Sequence, residues 1–219
     1  MKIAVLANGD WDPVWGVEEL HTVDYLICAD GGANAALEAQ RLPDLLIGDL
    51  DSVRASTLRI CREQGVGIQE YPTRKDETDL ELALLRAEEK LRYTGSPCPE
   101  IWLYGATGGR TDHLLGNLTL AVAYARRGVA LRFKDPNQEI RLIHTRTEIS
   151  GNVGQQISLL PCWGEAAWVS TQGLAYVLDH EELLPDRVRG ISNVFTAQTC
   201  VIDVHQGTLW VIHHYAQKI

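Results

Sequence analysis

The chain has 219 residues, of which 45% are hydrophobic and 22% charged, the proportions of a folded globular protein, so collagen-like repeats, coiled coil and wholesale disorder are excluded. Twenty Lys and Arg stand against 29 Asp and Glu for a formal charge of −9, which argues against nucleic-acid binding because such surfaces need a basic footprint. No run reaches the roughly 18 apolar residues of a membrane span, Met1-Lys2-Ile3 leads into too short an apolar run for a signal peptide, and five scattered cysteines without a C-x-x-C pair fit a reducing, cytoplasmic setting.

From the start to about Asp135, β-branched and aliphatic runs alternate with helix-like stretches, the pattern of a parallel sheet flanked by helices. Strands are expected over 3–7, 25–29, 44–47, 66–70, 101–104 and 130–134, and helices over 33–40, 53–64, 79–92 and 112–127. The third helix carries Leu80, Ala83, Leu84, Ala87 and Leu91 on one face, and Thr78 with Glu81 forms a capping-box pair. Trp11 and Trp15 flank Pro13 in what reads as a packed loop. After Asp135-Pro136-Asn137 the helical period disappears. Short strands follow over 139–144, 156–160, 167–171, 199–204 and 208–213, the last two reading as a hairpin around Gln206-Gly207. The fold class is therefore an N-terminal parallel-sheet α/β domain, residues 1–135, followed by a small all-β domain, residues 138–219.

The segments after the strands carry the chemistry. They are Asp30-Gly31-Gly32, Gly48-Asp49-Leu50-Asp51-Ser52, Lys75-Asp76-Glu77-Thr78-Asp79, and Gly105-Ala106-Thr107-Gly108-Gly109-Arg110-Thr111-Asp112. In an open parallel sheet ligands bind beyond the carboxyl ends of the strands, so the four segments should converge on one crevice. Carboxylates crowded in such a cleft need cations or hydrogen bonds. Magnesium suits this oxygen-rich, nitrogen-poor set, whereas zinc and copper do not.

Taken singly, Asp51-Ser52 could cap a helix near Val53, and Asp76 or Thr78 the next one. Four such junctions in succession, and Asp49 in addition to a sufficient Asp51-Ser52, weaken that explanation. The glycine-rich segment matches neither a Walker A loop nor the dinucleotide fingerprint. Arg110 beside it offers a guanidinium fork to phosphate, with Arg74 and Lys75 as a second positive wall. His113 suits phosphate contact or packing at a helix start equally well. His205, His213 and His214 fall on alternating faces of a strand and read as structural rather than as a metal site. These residues alone describe a magnesium- and nucleotide-dependent transferase.

In order, Leu6-Ala7-Asn8-Gly9, Cys28-Ala29-Asp30-Gly31-Gly32-Ala33-Asn34, Ile47-Gly48-Asp49-Leu50-Asp51-Ser52, Lys75-Asp76-Glu77-Thr78-Asp79 and Gly108-Gly109-Arg110-Thr111-Asp112-His113 resemble the motifs of the thiamine pyrophosphokinase family. Thr171-Gln172-Gly173-Leu174-Ala175-Tyr176 and Gly190-Ile191-Ser192-Asn193 resemble its vitamin-pocket segments. The resemblance implies transfer of the pyrophosphoryl unit of ATP to thiamine, giving thiamine diphosphate and AMP. It also implies a homodimer in which the all-β domain is a sandwich that binds thiamine and mediates dimerisation.

Carried over residue by residue, it implies catalytic roles for Asp79, Asp49 and Asp51, with Asp79 the first candidate to orient or deprotonate the attacking hydroxyl. Magnesium falls to Asp49, Asp51, Asp79 and Asp112. ATP and its phosphates fall to Asp30, Gly31, Lys75, Asp76, Thr107, Gly109, Arg110, Asp112 and His113, and thiamine to Tyr176, Ser192 and Asn193. Val194 departs from the acidic residue that follows the Ser-Asn pair in many bacterial members. The competing readings are a pyrophosphokinase acting on another alcohol, such as a hydroxymethylpterin, and a non-catalytic thiamine or nucleotide binder. No nucleic-acid or membrane partner is expected.

Overall fold

A computed structural model describes residues 1–93, 95 and 97–217. They form two compact units, Met1–Asp135 and Pro136–Ile219.

The first unit runs β1 (Ile3–Leu6), α1 (Pro13–Leu20), β2 (Tyr25–Ala29), α2 (Gly32–Glu38), β3 (Leu45–Gly48), α3 (Ala55–Glu63), β4 (Gly67–Glu70), α4 (Asp79–Arg92), β5 (Glu100–Tyr104), α5 (Thr111–Ala125) and β6 (Ala130–Lys134). All pairings are parallel, in the spatial order β6-β5-β1-β2-β3-β4. Every residue of β1 and β3 is buried. That is why they read as unbroken apolar runs: helices cover both faces of a parallel sheet. Helix α4 buries Leu80, Ala83, Leu84, Ala87 and Leu91. Its start is fixed by a reciprocal capping box: Thr78 N donates to Glu81 Oε2 at 2.9 Å and Glu81 N to Thr78 Oγ1 at 3.2 Å.

Two expectations in this unit are corrected. The segment holding Trp11 and Trp15 is a helix where a loop was expected. Asp12 caps it by accepting from Val14 N and Trp15 N, and Pro13 occupies its first turn, the position where a missing N–H costs nothing. Both indoles pack edge-on against each other and against Tyr104. The helix expected from Val53 begins at Ala55, with no side-chain cap, so Asp51 and Ser52 are not its caps.

The second unit contains β7 (Gln138–Ile143), β8 (Thr147–Ser150), β9 (Gln155–Pro161), β10 (Ala167–Gln172), β11 (Glu181–Leu183), β12 (Asn193–Val194), β13 (Thr199–Gln206) and β14 (Leu209–Gln217). They make two antiparallel layers, ordered β12-β9-β14-β7 and β11-β10-β13-β8. The layers share one core in which Ile157, Leu159 and Val211 of the first meet Val169, Ile202 and Phe195.

The expected hairpin between the last two strands does not form. Strand β13 pairs with β10 and β8, and β14 with β7 and β9. Both strands bury alternate apolar residues in the shared core, so Gly207 turns the chain from one layer to the other. It takes φ +84, and a Cβ there would stand 2.4 Å from Ala166 O.

Candidate active site

The carboxyl ends of the parallel strands border a cleft of about 1070 Å³, lined by Asn8, Asp10, Asp30, Asp49, Lys75, Asp79, Arg110 and Asp112 among others. Its floor is an acidic trio. One oxygen from each of Asp30, Asp49 and Asp79 lies within 4.8 Å of the others. Three chain junctions place them: Asp30 follows β2, Asp49 follows β3, and Asp79 is the first residue of α4, set by the Thr78 cap.

The backbone is strained around this floor, with φ +47 at Asp30 and φ +64 at Leu50, values that side-chain-bearing residues adopt only where the surroundings enforce them. Gly48 is required for space as well as for its φ of +146. A Cβ there would sit 3.1 Å from both Asp30 Cβ and Asp79 Oδ1. The Asn34 amide steadies the loop beyond: Nδ2 donates to Ser52 O and Oδ1 accepts from Arg54 N, at 2.9 and 3.0 Å.

Charge in the cleft is only partly compensated. Burial pushes the Asp30 carboxyl above its usual range, although hydrogen bonds from the Ser52 side chain and the Gly31 and Ser52 N–H groups oppose this. Lys75 Nζ is 2.9 Å from Asp79 Oδ1. Against a burial penalty, the carboxylates of Asp79, Asp49 and Asp30 hold that ammonium above its ordinary value. The approach is oblique, however, and Asp79 Oδ1 is buried without a well-formed hydrogen bond. A buried carboxylate oxygen without a well-aligned hydrogen bond, beside two other hard oxygens, fits a divalent cation such as magnesium.

The remaining expected residues divide. Asp51 and Asp112 line the same cleft but stand outside the trio. Asp51 Oδ1 accepts from Ser52 Oγ at 2.9 Å. Asp112 is gripped by Arg110 through Nε and Nη2, and that contact, with help from His113 N, holds its carboxyl at about 2. Gly109 and His113 also line the cleft, whereas Gly31, Asp76 and Thr107 do not. Thr107 Oγ1 instead donates to Asp135 at 2.7 Å, and a side chain at Gly31 would collide with Asn8.

In the second unit Asn193 is buried and clamps a loop. Its Oδ1 accepts from Tyr176 N and Val194 N, and its Nδ2 donates to Tyr176 O. Tyr176 itself is 72% exposed, and Ser192 takes φ +60.

Sequence reasoning missed Asp10 and the side-chain role of Asn34. Asp10 stood in the undivided stretch before Pro13. The Asp12-Pro13 pair is the signal that ends the loop there and begins α1.

Two family models divide the chain much as the structure does. "Thiamin pyrophosphokinase, catalytic domain" matches residues 18–133, and "Thiamin pyrophosphokinase, vitamin B1 binding domain" matches 142–209. The chain belongs to the thiamin pyrophosphokinase family. Among curated members, thiamine pyrophosphokinase 1 of Arabidopsis thaliana is 26% identical over 207 residues, covering 85% of this chain and 76% of its own. Thiamine pyrophosphokinase of Bacillus subtilis is 33% identical over 128 residues, 58% of this chain and 56% of its own. The crystal structure of thiamine pyrophosphokinase from Bacillus subtilis superposes with a TM-score of 0.84 at 25% identity, covering 99% of this chain and all of that one. That of Candida albicans gives 0.82 at 16% identity over 98% and 89%, a likeness of fold. In this family setting the acidic cleft belongs to the unit matched by the catalytic model.

Proposed function

We propose that this chain is a thiamine diphosphokinase that moves the pyrophosphoryl group of ATP to the hydroxyethyl oxygen of thiamine. The observation that carries the reading is the Asp30, Asp49 and Asp79 trio with Lys75 against its edge, in a chain matched along both units by thiamin pyrophosphokinase models. No observation favours the pterin or the non-catalytic alternative.

In the reaction the thiamine hydroxyl oxygen bonds to the β-phosphorus of ATP as the bond from that phosphorus to the α,β-bridging oxygen breaks. AMP leaves and the hydroxyl proton is released. Asp49 and Asp79, with Asp30 beside them, would hold magnesium, and Asp51 and Asp112 would orient the metal-bound phosphates from the cleft wall. When bound, magnesium neutralises phosphate charge. Asp79 orients the attacking hydroxyl, its position set by the Thr78 cap. Lys75 and Arg110 bind phosphate oxygens, and Arg110 releases Asp112 to do so. Positioning and charge compensation of this kind supply most of the catalysis in phosphoryl transfer.

The β unit binds the vitamin. Tyr176 offers an aromatic face to a cationic thiazolium, Ser192 a hydroxyl, and Asn193 holds the Tyr176 loop in place. Two copies pair through this unit, whose exposed Trp163 and Tyr176 are large apolar surfaces for a body of about 80 residues, a size at which a separate core is marginal. The setting is the cytoplasm.

Incubating the protein with thiamine, ATP and magnesium and separating the products tests the reaction. Thiamine diphosphate with equimolar AMP is expected, and thiamine monophosphate with ADP would overturn it. A fully active monomer by light scattering at micromolar concentration would reject the dimer.

A further inference from the structure

The order of the parallel strands places a topological switch between β1 and β5. The chain steps outward from β1 through β2 and β3 to β4, then returns to the other side of β1. Nucleotides enter open sheets at such a point. Here the two flanking loops are pressed together: Gly9 N donates to Gly105 O at 2.9 Å, and a Cβ on Gly9 would stand 2.3 Å from that oxygen.

Asp10 projects from this junction. Its carboxylate lies against the glycine turn, where a Cβ at Gly108 would be 2.3 Å from Oδ2 and one at Gly109 3.8 Å from Oδ1. The other cleft carboxylates discussed above each have a neighbour: Lys75 serves the trio, Ser52 serves Asp51 and Arg110 serves Asp112. Among the described residues no hydrogen bond or ion pair engages the side chain of Asp10. Nor is Asp10 needed to start α1, because Asp12 already accepts from Val14 N and Trp15 N at 2.9 and 3.2 Å.

We infer that Asp10 reads the sugar of the bound nucleotide, accepting hydrogen bonds from the ribose hydroxyls and so separating ribonucleotides from deoxyribonucleotides. The inference rests on the nucleotide reading given above. A carboxylate with no cation beside it repels phosphate oxygens, so the flank of the Gly108-Gly109 turn that faces Asp10 is not a phosphate cradle. Phosphate is left to Lys75 and Arg110. What fits against Asp10 is a neutral, donor-bearing part of the nucleotide. A vicinal diol is suited to it, since its two O–H groups can each donate to one carboxylate oxygen.

Calorimetry with ADP, 2′-deoxyADP and 3′-deoxyADP, on the unaltered protein and on Asp10→Asn, tests this. The unaltered protein should bind ADP at least about tenfold more tightly than one of the deoxy forms, the scale of a hydrogen bond to a charged group. In Asp10→Asn the gap should shrink to about twofold, through weaker ADP binding, with an unchanged melting temperature. An equal gap in both proteins, or none in the unaltered one, would overturn the assignment. Uniform weakening of all three nucleotides, as expected of a cation ligand, would also overturn it, as would a loss confined to thiamine. If the unaltered protein makes thiamine diphosphate and AMP while the gap fails, only the role of Asp10 falls. If it neither binds ADP nor turns over, both readings fall.

Discussion

In the α/β unit, Asp79 is placed by a helix cap so that Oδ1 is buried beside Lys75 but without a well-formed hydrogen bond, and Asp10 lies exposed against a glycine turn. In the β unit Asn193 is also buried, yet its amide makes three hydrogen bonds to the backbone of Tyr176 and Val194. A buried polar atom left incomplete by its own chain, as Asp79 Oδ1 is, favours a ligand, because burial without a hydrogen bond costs free energy that binding can recover. Polar groups that are complete shape the chain. On the proposed function, the cleft would act directly on substrate, whereas Asn193 would act by holding the Tyr176 loop in place.

The largest expected effect tests the incomplete side. Asp49→Asn keeps shape and removes one charge from the trio, so turnover should fall by about 100-fold or more, the scale of losing part of a metal's charge stabilisation. The melting temperature should hardly move, since relieving repulsion within the trio opposes any lost contact. Near-normal activity in this variant would show that the trio is not the site. Gly48→Ala is the complementary change. It adds a methyl 3.1 Å from Asp79 Oδ1 and forces a residue with a Cβ to φ +146. Activity should drop steeply, with a stability loss of about 1 to 3 kcal/mol by denaturant titration. If stability alone fell, close packing at Gly48 would be irrelevant to chemistry.

The β unit separates shaping from contact. Asn193→Ala leaves the Tyr176 N–H and C=O and the Val194 N–H without their partner, so stability should drop by about 1 to 3 kcal/mol. Thiamine affinity should fall roughly two- to tenfold with it, and ADP binding should stay unchanged. Tyr176→Ala, at an exposed position, should weaken thiamine while costing no more than about 0.5 kcal/mol of stability. Equal stability losses in the two variants would erase the distinction drawn between them. Loss of ADP binding in Asn193→Ala would refute the division of labour between the units.

How much of this was legible depended on whether the deciding interaction was local. The strand-to-helix junctions, the Thr78 and Glu81 cap and the buried runs of β1 and β3 depend on neighbours in sequence, and the chain displays them. The trio was partly visible: the ordered motifs pointed to Asp30, Asp49 and Asp79, but Asp51 and Asp112 looked equivalent to them. The contacts of Asp51 with Ser52 and of Asp112 with Arg110 span only one and two residues, yet whether such a neighbour pair bonds to itself or to the cleft depends on how the folded loop turns it. Similarly, Thr107 looked like a phosphate contact, and its bond to Asp135 spans 28 residues. The false hairpin around Gly207 arose because a tight turn within one sheet and a crossing between two layers need the same positive φ. Which partner each strand takes is a property of the whole sandwich.

The smallest expected effect concerns His213, a polar group of the complete kind that must stay neutral to remain so. It is buried, its Nε2 is 3.0 Å from Gln155 Oε1, and its ring packs on Phe195 and Tyr215. Gln155 in turn accepts from Asn152 N and donates to Tyr215 O, so the imidazole helps tie the ends of two strands. Burial lowers the His213 pKa below the ordinary histidine value of about 6.5. Arg141 and His214 act in the same direction and Glu139 against it. The folded state therefore binds its proton less readily than the unfolded chain does. Stability is complete above the unfolded pKa of 6.5 and declines as pH falls from there toward the lower folded value. Urea titrations between pH 8 and pH 5 should show this decline, read at about 0.5-unit steps. His213→Phe removes the titration and should flatten that part of the profile, at the cost of leaving Gln155 with one donor fewer at every pH. A profile equally steep in His213→Phe would remove His213 as the source of the decline, and the raised Asp30 carboxyl of the cleft could not replace it, because a group that binds its proton more readily in the folded state adds stability as pH falls.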